Sequence, residues 1–472
     1  MIDRLRSDGN YYRAEYWKKP GVKKAISQFL GSKVLDWSLW REGDVASEFL
    51  GLANRDKLQR PDKVSPAIIV EPEDFKNYYE DFNGQFELHN SMWQRESIYD
   101  TNYPRRALLV WDIEIFDQHN PLSPIENPED TFDKLEIIYN ILKSKFDYYG
   151  IKYQAVASGR GYNFVTSVSD YSGAMDDLIE ISGSIETTVL DKQKYPNINL
   201  KRHKQVPEIA ERLHVASVRL QQFLFNEVIR ESRAKQPFAV EVSDKGNYGI
   251  AYDNTAMQYS VENRSIGSLG TPYFIKGEKS NPEFTRTVIK VPRKGFDFEL
   301  TKDELMVVRS NYDRADQILS DADCRVPESS EGIKKLVNDY SSSKLINLHK
   351  KMDESFGDDP SSYDFGYRNY DLIANKTENP DYIKHLLSNA NDELLKPANI
   401  DYFVWEIFKS WGGNENNLDI APHVAGLLGS IYEDPRYNWG SRFIKIDAQR
   451  YARGWVTTVI GQAFEKDYLG NS

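Results

Sequence analysis

Cysteine, histidine and long apolar runs are scarce in this sequence. The chain has 472 residues, of which one is a cysteine, Cys324, and 7 are histidines. A single cysteine excludes an intrachain disulfide, a cysteine-rich zinc site and an iron–sulfur cluster held by four of the chain's own thiolates. We therefore expect no zinc and no iron–sulfur cluster, and any metal ion must be held by carboxylates or histidines.

An uninterrupted apolar run of about 18 residues, which a membrane-spanning helix needs, does not occur in the sequence. The first residues, MIDRLRSDGN, are polar and contain no apolar leader segment. We expect a cytoplasmic protein that has no membrane partner. Its composition, 40% hydrophobic and 13% aromatic, suffices for a large core, and a prior of about 150 residues per domain favours two or three domains.

An excess of positive charge is also lacking. The formal net charge is -12, which argues against a protein that coats nucleic acid with its whole surface, because phosphate binding depends on clustered lysine and arginine. One basic stretch remains, DKQKYPNINLKRHK, for which a solvated surface is the default interpretation and a weak nucleic-acid-binding track is the alternative. Its cations are Lys192, Lys194, Lys201, Arg202 and Lys204.

The stretch ALLVWDIEIFD, residues 107–117, is an apolar strand that contains two carboxylates in its interior. Side chains alternate between the two faces of a strand, so Asp112 and Glu114 share one face while Trp111 lies on the other. Like charges at this spacing, roughly 6 to 7 Å along the strand, repel each other and resist burial. Either buried arginines pair with these acids, or a cation between them turns the repulsion into attraction.

A glycine-containing turn comes later in the chain. The segment KYQAVASGRGYNFVTSVS predicts a strand, a turn at SGRGYN and a second strand. Gly159 and Gly161 permit a tight turn and a close approach to a ligand, while exposed N–H groups together with Arg160 suit a phosphate. Ser158 and Asn163 begin and end the motif. A plain hairpin turn without a ligand is the alternative interpretation.

Two further segments add groups of the same kinds. In AYDNTA, Asp253 ends a strand-like run and supplies a third carboxylate. In NRSIGSLGTPY, Arg264 and Ser268 lie among glycines and suit a triphosphate or a nucleic-acid backbone. Each segment alone also fits a polar strand end or a loop. Together, three carboxylates and two such turns fit two-metal phosphoryl transfer, with Mg²⁺ or Mn²⁺ held by oxygen ligands.

The order of the elements predicts an α+β fold with a mixed or antiparallel sheet. Residues 1–60 favour helices rich in aromatics, with Tyr11, Tyr12, Tyr16 and Trp17, then VKKAISQFL, then Trp37 and Trp40. The segment FDKLEIIYNILKSKFDYYG has apolar residues at helical spacing with Gly150 as a stop. A long amphipathic helix, PEIAERLHVASVRLQQFLFNEVIRES, precedes the strands NYGIAYDN and FTRTVIKVP. From about residue 331 the pattern is helical. We predict a catalytic domain at 1–312, with its metal site within 107–275, and a helical C-terminal domain at 331–472.

In order and spacing, these motifs resemble those of the catalytic small subunit of the archaeo-eukaryotic primase superfamily, which includes the primase-polymerases. WDIE is similar to the family's acidic strand motif, SGRGYN to its SGRGxH-type turn, and YDNT, RSIGSLG and TRTVIKVP to its third region. The opening YYRAEYW also resembles that subunit's YYR-rich beginning. The resemblance covers about residues 10–300 and implies a primase small-subunit-like catalytic fold.

The resemblance also implies roles for individual residues. The catalytic and metal-binding carboxylates would be Asp112, Glu114 and Asp253. The nucleotide-binding residues would be Ser158, Gly159, Arg160, Gly161, Asn163, Arg264 and Ser268. The implied cofactor is Mg²⁺ or Mn²⁺, and the implied partners are a single-stranded DNA template, a primer strand, dNTP or NTP, and a replicative helicase or large-subunit-like protein.

The sequence departs from the family pattern at several points. Asn163 stands where the family usually has a histidine, and Gly270 falls where its third region often has another. The zinc knuckle that is common in the family cannot form from one cysteine. No GxxxxGKS or GxxxxGKT phosphate loop occurs, so we expect no fused helicase.

Three functions are compatible with these residues. The resemblance favours a DNA-dependent nucleotidyltransferase that makes or extends primers. A metal-dependent nuclease or phosphodiesterase would use the same acids, but the lysine that often follows an acidic pair in nuclease sites is missing, and Phe116 and Gln118 stand there instead. A non-catalytic nucleic-acid-binding subunit of the same fold is the third, and Asn163 is the residue that favours it.

Overall fold

The computed structural model describes the middle and C-terminal parts of the chain most fully. The described residues are 19–30, 35–41, 67–70, 86–91, 93–94, 106–117, 123–183, 208–233, 235, 240–242, 248–252, 265–267, 270, 272–275, 286–355, 370–389, 393–394, 397–434 and 448–467. Within them, no helix combines the length and the apolar character that crossing a membrane requires.

The described residues up to 294 contain both strands and helices. The strands are β1 (Leu35–Arg41), β2 (Ala67–Val70), β3 (Phe86–Ser91), β4 (Trp93–Gln94), β5 (Arg106–Asp117), β6 (Gln154–Ala157), β7 (Gly161–Ser169), β8 (Val240–Val242), β9 (Tyr248–Tyr252), β10 (Ser265–Gly267), β11 (Pro272–Ile275), β12 (Arg286–Ile289) and β13 (Val291–Lys294). The helices among them are α1 (Pro20–Leu30), α2 (Ser123–Glu126), α3 (Pro128–Tyr149), α4 (Ala174–Ile181) and α5 (Glu208–Arg233).

Helices make up the regular structure of the described residues after 294. They are α6 (Lys302–Arg309), α7 (Tyr312–Asp321), α8 (Ser330–Ser341), α9 (Lys344–Glu354), α10 (Tyr370–Ala374), α11 (Pro380–Ser388), α12 (Pro397–Ser410), α13 (Ala421–Glu433) and α14 (Ala448–Asp467). The helical pattern predicted after residue 331 is therefore confirmed for the described residues. The division into domains at 312 and 331 stays a prediction. Helix α8, which belongs to the predicted C-terminal part, contacts β7 of the predicted catalytic part.

The largest sheet has the strand order β13-β6-β7-β5-β9-β8, and β4 also pairs with β5. Its neighbours are antiparallel except for β8 and β9, which are parallel. A second sheet has the order β10-β3-β1-β2, and β11 pairs with β12. The predicted α+β class, with a mixed and mainly antiparallel sheet, is confirmed. The hairpin predicted around SGRGYN is β6 and β7.

Helix α3 covers one face of this sheet through aromatic side chains. Trp111 on β5 is fully buried and meets Phe146 edge-on, with ring centroids 5.0 Å apart. Tyr162 on β7 contacts the ring of Phe132 in the same way, at 5.2 Å. The helix ends as predicted at Gly150, whose φ of 72° is a left-handed conformation that suits glycine.

One expectation about the first 60 residues is wrong. Trp37 and Trp40 lie on strand β1 and not on a helix. The segment LDWSLWR alternates apolar and polar residues at its start, which is the period of a strand, and Leu35 pairs with Val70 of β2. The segment VKKAISQFL does form the predicted helix, α1. The aromatic residues expected on a helix before it, Tyr11, Tyr12, Tyr16 and Trp17, lie outside the described residues.

A chain of buried hydrogen bonds joins α5 to the C-terminal helices. The Tyr340 hydroxyl lies 2.7 Å from His349 Nδ1, and His349 Nε2 lies 2.8 Å from Gln222 Oε1. The Gln222 amide in turn donates to Thr458 Oγ1 at 2.9 Å. A neutral imidazole satisfies both neighbours, because one ring nitrogen accepts and the other donates. Burial and the nearby charge of Arg219 lower the pKa of His349 well below its usual value of 6.5.

This low pKa of His349 predicts a loss of stability in acid. Below pH 6.5 the unfolded chain binds a proton at His349 that the folded protein does not bind. The free energy of unfolding should therefore fall by about 1.4 kcal/mol between pH 7.5 and pH 5.5 through this residue alone. In His349→Gln this contribution should vanish, as measured by urea unfolding at both pH values. The control is His385→Gln, at an exposed histidine, and an unchanged pH dependence in His349→Gln would contradict the assignment.

Candidate functional site

The two acids of β5 lie on the sheet face opposite α3. In the antiparallel register with β7, Asp112 is aligned with Asn163 and Glu114 with Gly161. Both carboxylate residues are half-buried, and Asn163 is 8% exposed. Trp111, which directly precedes Asp112, packs on Phe146 of α3 and so points to the other face, as the alternation of side chains predicts. The acidic pair and the end of the SGRGYN motif are thus side by side on neighbouring strands.

The turn between β6 and β7 is held by its own serine. Ser158 Oγ accepts the backbone N–H of Gly161 at 3.0 Å and that of Arg160 at 3.4 Å. The backbone N–H of Ser158 donates to the carbonyl of Gly161 at 2.8 Å. Ser158 therefore shapes the turn, and two of the N–H groups expected to face a phosphate are directed to its hydroxyl.

Gly161 allows the turn to lie against β5. A Cβ atom at this position would come 1.7 Å from the carbonyl oxygen of Ile113. The Ile115 N–H donates to the carbonyl of Arg160 at 3.1 Å, which joins the turn to the strand that carries the acids. The sequence predicts that a glycine here permits a close approach to a ligand. The structure shows a close approach of Gly161 to the backbone of β5.

On its other edge, β5 is hydrogen-bonded to β9. Glu114 is aligned with Ala251, and Ile113 with Tyr252, the last residue of β9. Asp253, the predicted third carboxylate, follows Tyr252 directly in the sequence but lies outside the described residues. Two of the motifs found in the sequence therefore lie on β7 and β5, and Asp253 directly follows β9 in the sequence. Strands β7, β5 and β9 are consecutive in one sheet.

The remaining predicted residues lie outside the part of the chain that the structure describes. Arg264 and Ser268 lie outside the described residues, and the strand between them, β10, pairs with β3 in the second sheet. The basic stretch also lies outside the described residues. Its members are Lys192, Lys194, Lys201, Arg202 and Lys204. Their roles stay predictions.

Arg309 is a residue of this region that the sequence analysis missed. It ends α6, which begins at a capping box formed by Thr301 and Glu304. Arg309 is 2% exposed, and its Nη2 donates to the carbonyls of Ser158 and Gly159, each at 3.0 Å. Burial lowers its pKa to about 10, so the guanidinium stays charged at neutral pH. The available signal was its helical spacing of four from the apolar Leu305, which places an arginine on a buried helix face.

The face under α3 has a separate set of polar contacts. Tyr162 donates to Glu136 Oε1 at 2.6 Å, and Arg293 Nη2 donates to Glu136 Oε2 at 3.0 Å. The Arg293 guanidinium also lies 4.8 Å from the centre of the Tyr139 ring. Burial, with Glu136 close by, raises the pKa of Tyr162, so this hydroxyl remains protonated and donates. The charges on this face are therefore paired with each other.

Half-buried carboxylates on one face fit a hard divalent cation, which prefers oxygen ligands. Among the described residues, no group of three or more histidine, cysteine, aspartate or glutamate side chains is placed to hold a metal ion. The predicted set of three needs Asp253, which is outside those residues. Comparison of the chain with protein-family models, with curated proteins and with solved structures gives no match.

The approach of the turn to β5 generates a stability prediction. Gly161→Ala should be strongly destabilising, by on the order of 4 kcal/mol, because the methyl group overlaps the backbone of Ile113 and β5 or β7 must move. Gly412→Ala is the control, since nothing lies within 4 Å of its Cβ position and only its φ of 86° is unfavourable, a cost of about 1 to 2 kcal/mol. Thermal unfolding of both variants tests this. Equal losses would show that the turn does not lie against β5 as described.

Proposed function

We propose that the protein is a DNA-dependent nucleotidyltransferase of the primase-polymerase kind, with a primase small-subunit-like catalytic fold. The observation that carries the proposal is the register of β5 and β7, which aligns Asp112 with Asn163 and Glu114 with Gly161. Phosphoryl transfer with divalent metal ions needs carboxylates and a phosphate-binding group within one site. Two motifs separated by some 45 residues in the sequence lie on adjacent strands, which supports the proposal.

In this proposal, Asp112 and Glu114 hold Mg²⁺ or Mn²⁺, with Asp253 as the third ligand. When bound, such ions activate the attacking hydroxyl and stabilise the charge on the transferred phosphate. The chain's own residues position the substrate. Arg160 binds the triphosphate of the incoming dNTP or NTP through charge-assisted hydrogen bonds, and Asn163, aligned with Asp112 on the neighbouring strand, donates a neutral one.

The proposed partners are a single-stranded DNA template and a primer strand, with a replicative helicase or large-subunit-like protein as a further one. The basic stretch at 191–204 would contact the nucleic-acid backbone, and Arg264 and Ser268 would bind near the nucleotide. The proposed location is the cytoplasm.

One reaction separates the candidate functions. The full chain is incubated with a labelled single-stranded template, with and without an annealed primer, in the presence of nucleotides and Mn²⁺. Products longer than the primer, or new oligonucleotides on the bare template, support the nucleotidyltransferase. Shortened strands would indicate a nuclease or phosphodiesterase instead. Strands that are bound in a gel-shift assay but unchanged would indicate a non-catalytic nucleic-acid-binding subunit.

The first functional prediction concerns the acids. Asp112→Ala and Glu114→Ala should each abolish incorporation, because the metal ligands and the charge stabilisation that depends on them are lost. Neither change should lower the thermal unfolding midpoint, since each removes one of two mutually repelling charges. Asp147→Ala, at an exposed acid on α3, is the control and should keep full activity. Unfolding of the two variants without any metal-dependent effect would make the acids structural.

The second prediction compares the two polar residues of the turn. Asn163→Ala should weaken nucleotide binding by about 1 kcal/mol, the net worth of a neutral hydrogen bond, and Arg160→Ala should weaken it more because its bonds are charge-assisted. In Asn163→His, the new imidazole should bind nucleotide more tightly near pH 6 than near pH 8, because only the protonated ring adds a positive charge. Nucleotide dissociation constants across this pH range test the order. A larger loss in Asn163→Ala than in Arg160→Ala would reverse the two roles.

A further inference from the structure

Arg309 differs from the other buried arginines in what it contacts. Arg219 pairs with Asp353 at 2.5 Å, and Arg293 pairs with Glu136 at 3.0 Å. The hydrogen bonds of Arg309 instead go to two backbone carbonyls of the turn, those of Ser158 and Gly159. Among the described residues, its Nε and Nη1 have no hydrogen-bond partner and no carboxylate pairs with it. A buried positive charge that is not neutralised by a described acid therefore lies directly behind the turn.

The aromatic ring of Phe132 fixes the position of this charge. The guanidinium carbon lies 4.4 Å from the centre of that ring, a distance at which a cation is attracted to the face of the ring. Phe132 is itself fully buried and packs against Tyr162. The charge of Arg309 is thus held between a fixed ring and the turn, in surroundings where electrostatic effects are stronger than in water.

The two carbonyls determine how the peptides of the turn are oriented. The structure contains no cis peptide among the described residues, and in a trans peptide the carbonyl and the N–H point in opposite directions. Since the carbonyls of Ser158 and Gly159 point to Arg309, the N–H groups of Gly159 and Arg160 point away from it. The Arg160 N–H is directed to Ser158 Oγ at 3.4 Å, so the Gly159 N–H is the group of this pair that can donate to an anion.

We propose that Arg309 is a positioning residue for the nucleotide phosphates: from behind the turn it orients the peptides that follow Ser158 and Gly159, and its charge favours an anion on their N–H side. The inference rests on the proposed function, because it assigns the phosphates of that reaction to the turn. Arg309 itself is buried and acts through the turn and through Arg160. No contact of Arg309 with the substrate is required.

The alternative is a purely structural role, in which Arg309 only ties α6 to the turn. The two roles differ in what they require of residue 309. Arg309→Gln keeps an amide donor but removes the charge, whereas Arg309→Lys keeps the charge and a donor. Arg293→Gln is the matched control, because Arg293 is equally an arginine of the interior, 6% exposed, but pairs with Glu136 on the α3 face.

The test measures binding of dATP to the full chain in Mg²⁺ by calorimetry, together with primer extension. Arg309→Gln should raise the dissociation constant and the KM by about tenfold, a change of about 1.4 kcal/mol, with little change in kcat, because the lost effect is on binding. Arg309→Lys and Arg293→Gln should stay within about threefold of the wild type. Hydrogen exchange of the wild-type protein should show that dATP protects the amide of Gly159, whereas the amides of Arg160 and Gly161 already donate to Ser158 Oγ.

The possible failures are distinguishable. If the wild type binds no dATP and extends no primer, the proposed function and this inference both fail. If the wild type binds and Arg309→Gln binds as well, or Arg309→Lys loses as much affinity as Arg309→Gln, only the inference is overturned. Should Arg309→Gln not fold, hydrogen exchange of the wild type decides: bound dATP that leaves the amide of Gly159 unprotected overturns the inference.

Discussion

The alternation of side chains along β5 is the constraint on which the candidate site depends. Strand β7 pairs with β5 as far as Glu114, and β9 pairs with it from Ile113 onward. A shift of the strand by one residue would move both acids to the face under α3. The fully buried Trp111, packed on Phe146, opposes such a shift. Apolar packing on one face therefore holds two repelling carboxylates on the other.

The acidic residues on the two faces of this sheet differ in their neighbours. Under α3, Glu136 accepts hydrogen bonds from Tyr162 and Arg293, so its negative charge is offset locally. On the opposite face, the residues aligned with the acids in β7 and β9 are uncharged, since Asn163, Gly161 and Ala251 occupy those positions. Cross-strand partners thus do not offset the repulsion between Asp112 and Glu114. Whatever stabilises the two acids therefore lies outside the aligned positions of β7 and β9.

The predictable features are those set by local periodicity. The helix that ends at Gly150, the hairpin at SGRGYN and the shared face of the acids all follow from spacing within a short segment. The assignment of Trp37 to a helix is wrong because the alternation of apolar and polar residues in LDWSLWR, which indicates a strand, is short, and the expectation of a helix depends on the aromatic content of the region. Arg309 could not be found in this way, because its partners, Ser158 and Gly159, are some 150 residues away and are backbone atoms. Backbone carbonyls leave no signature in side-chain identity.

The charges around the β5–β7 pair suggest why the two motifs are adjacent. A nucleoside triphosphate is an anion and its bound metal ion is a cation. A site for both therefore needs positive and negative groups within a few ångströms of each other. In the proposed function, Asp112 and Glu114 would supply the negative part, and the turn between Arg160 and the buried Arg309 would supply the positive part. The Ile115–Arg160 backbone hydrogen bond joins the two parts through one strand pair. A displacement of the turn would therefore disturb both parts together, so the proposed metal binding and the proposed phosphate binding would both depend on the close approach at Gly161.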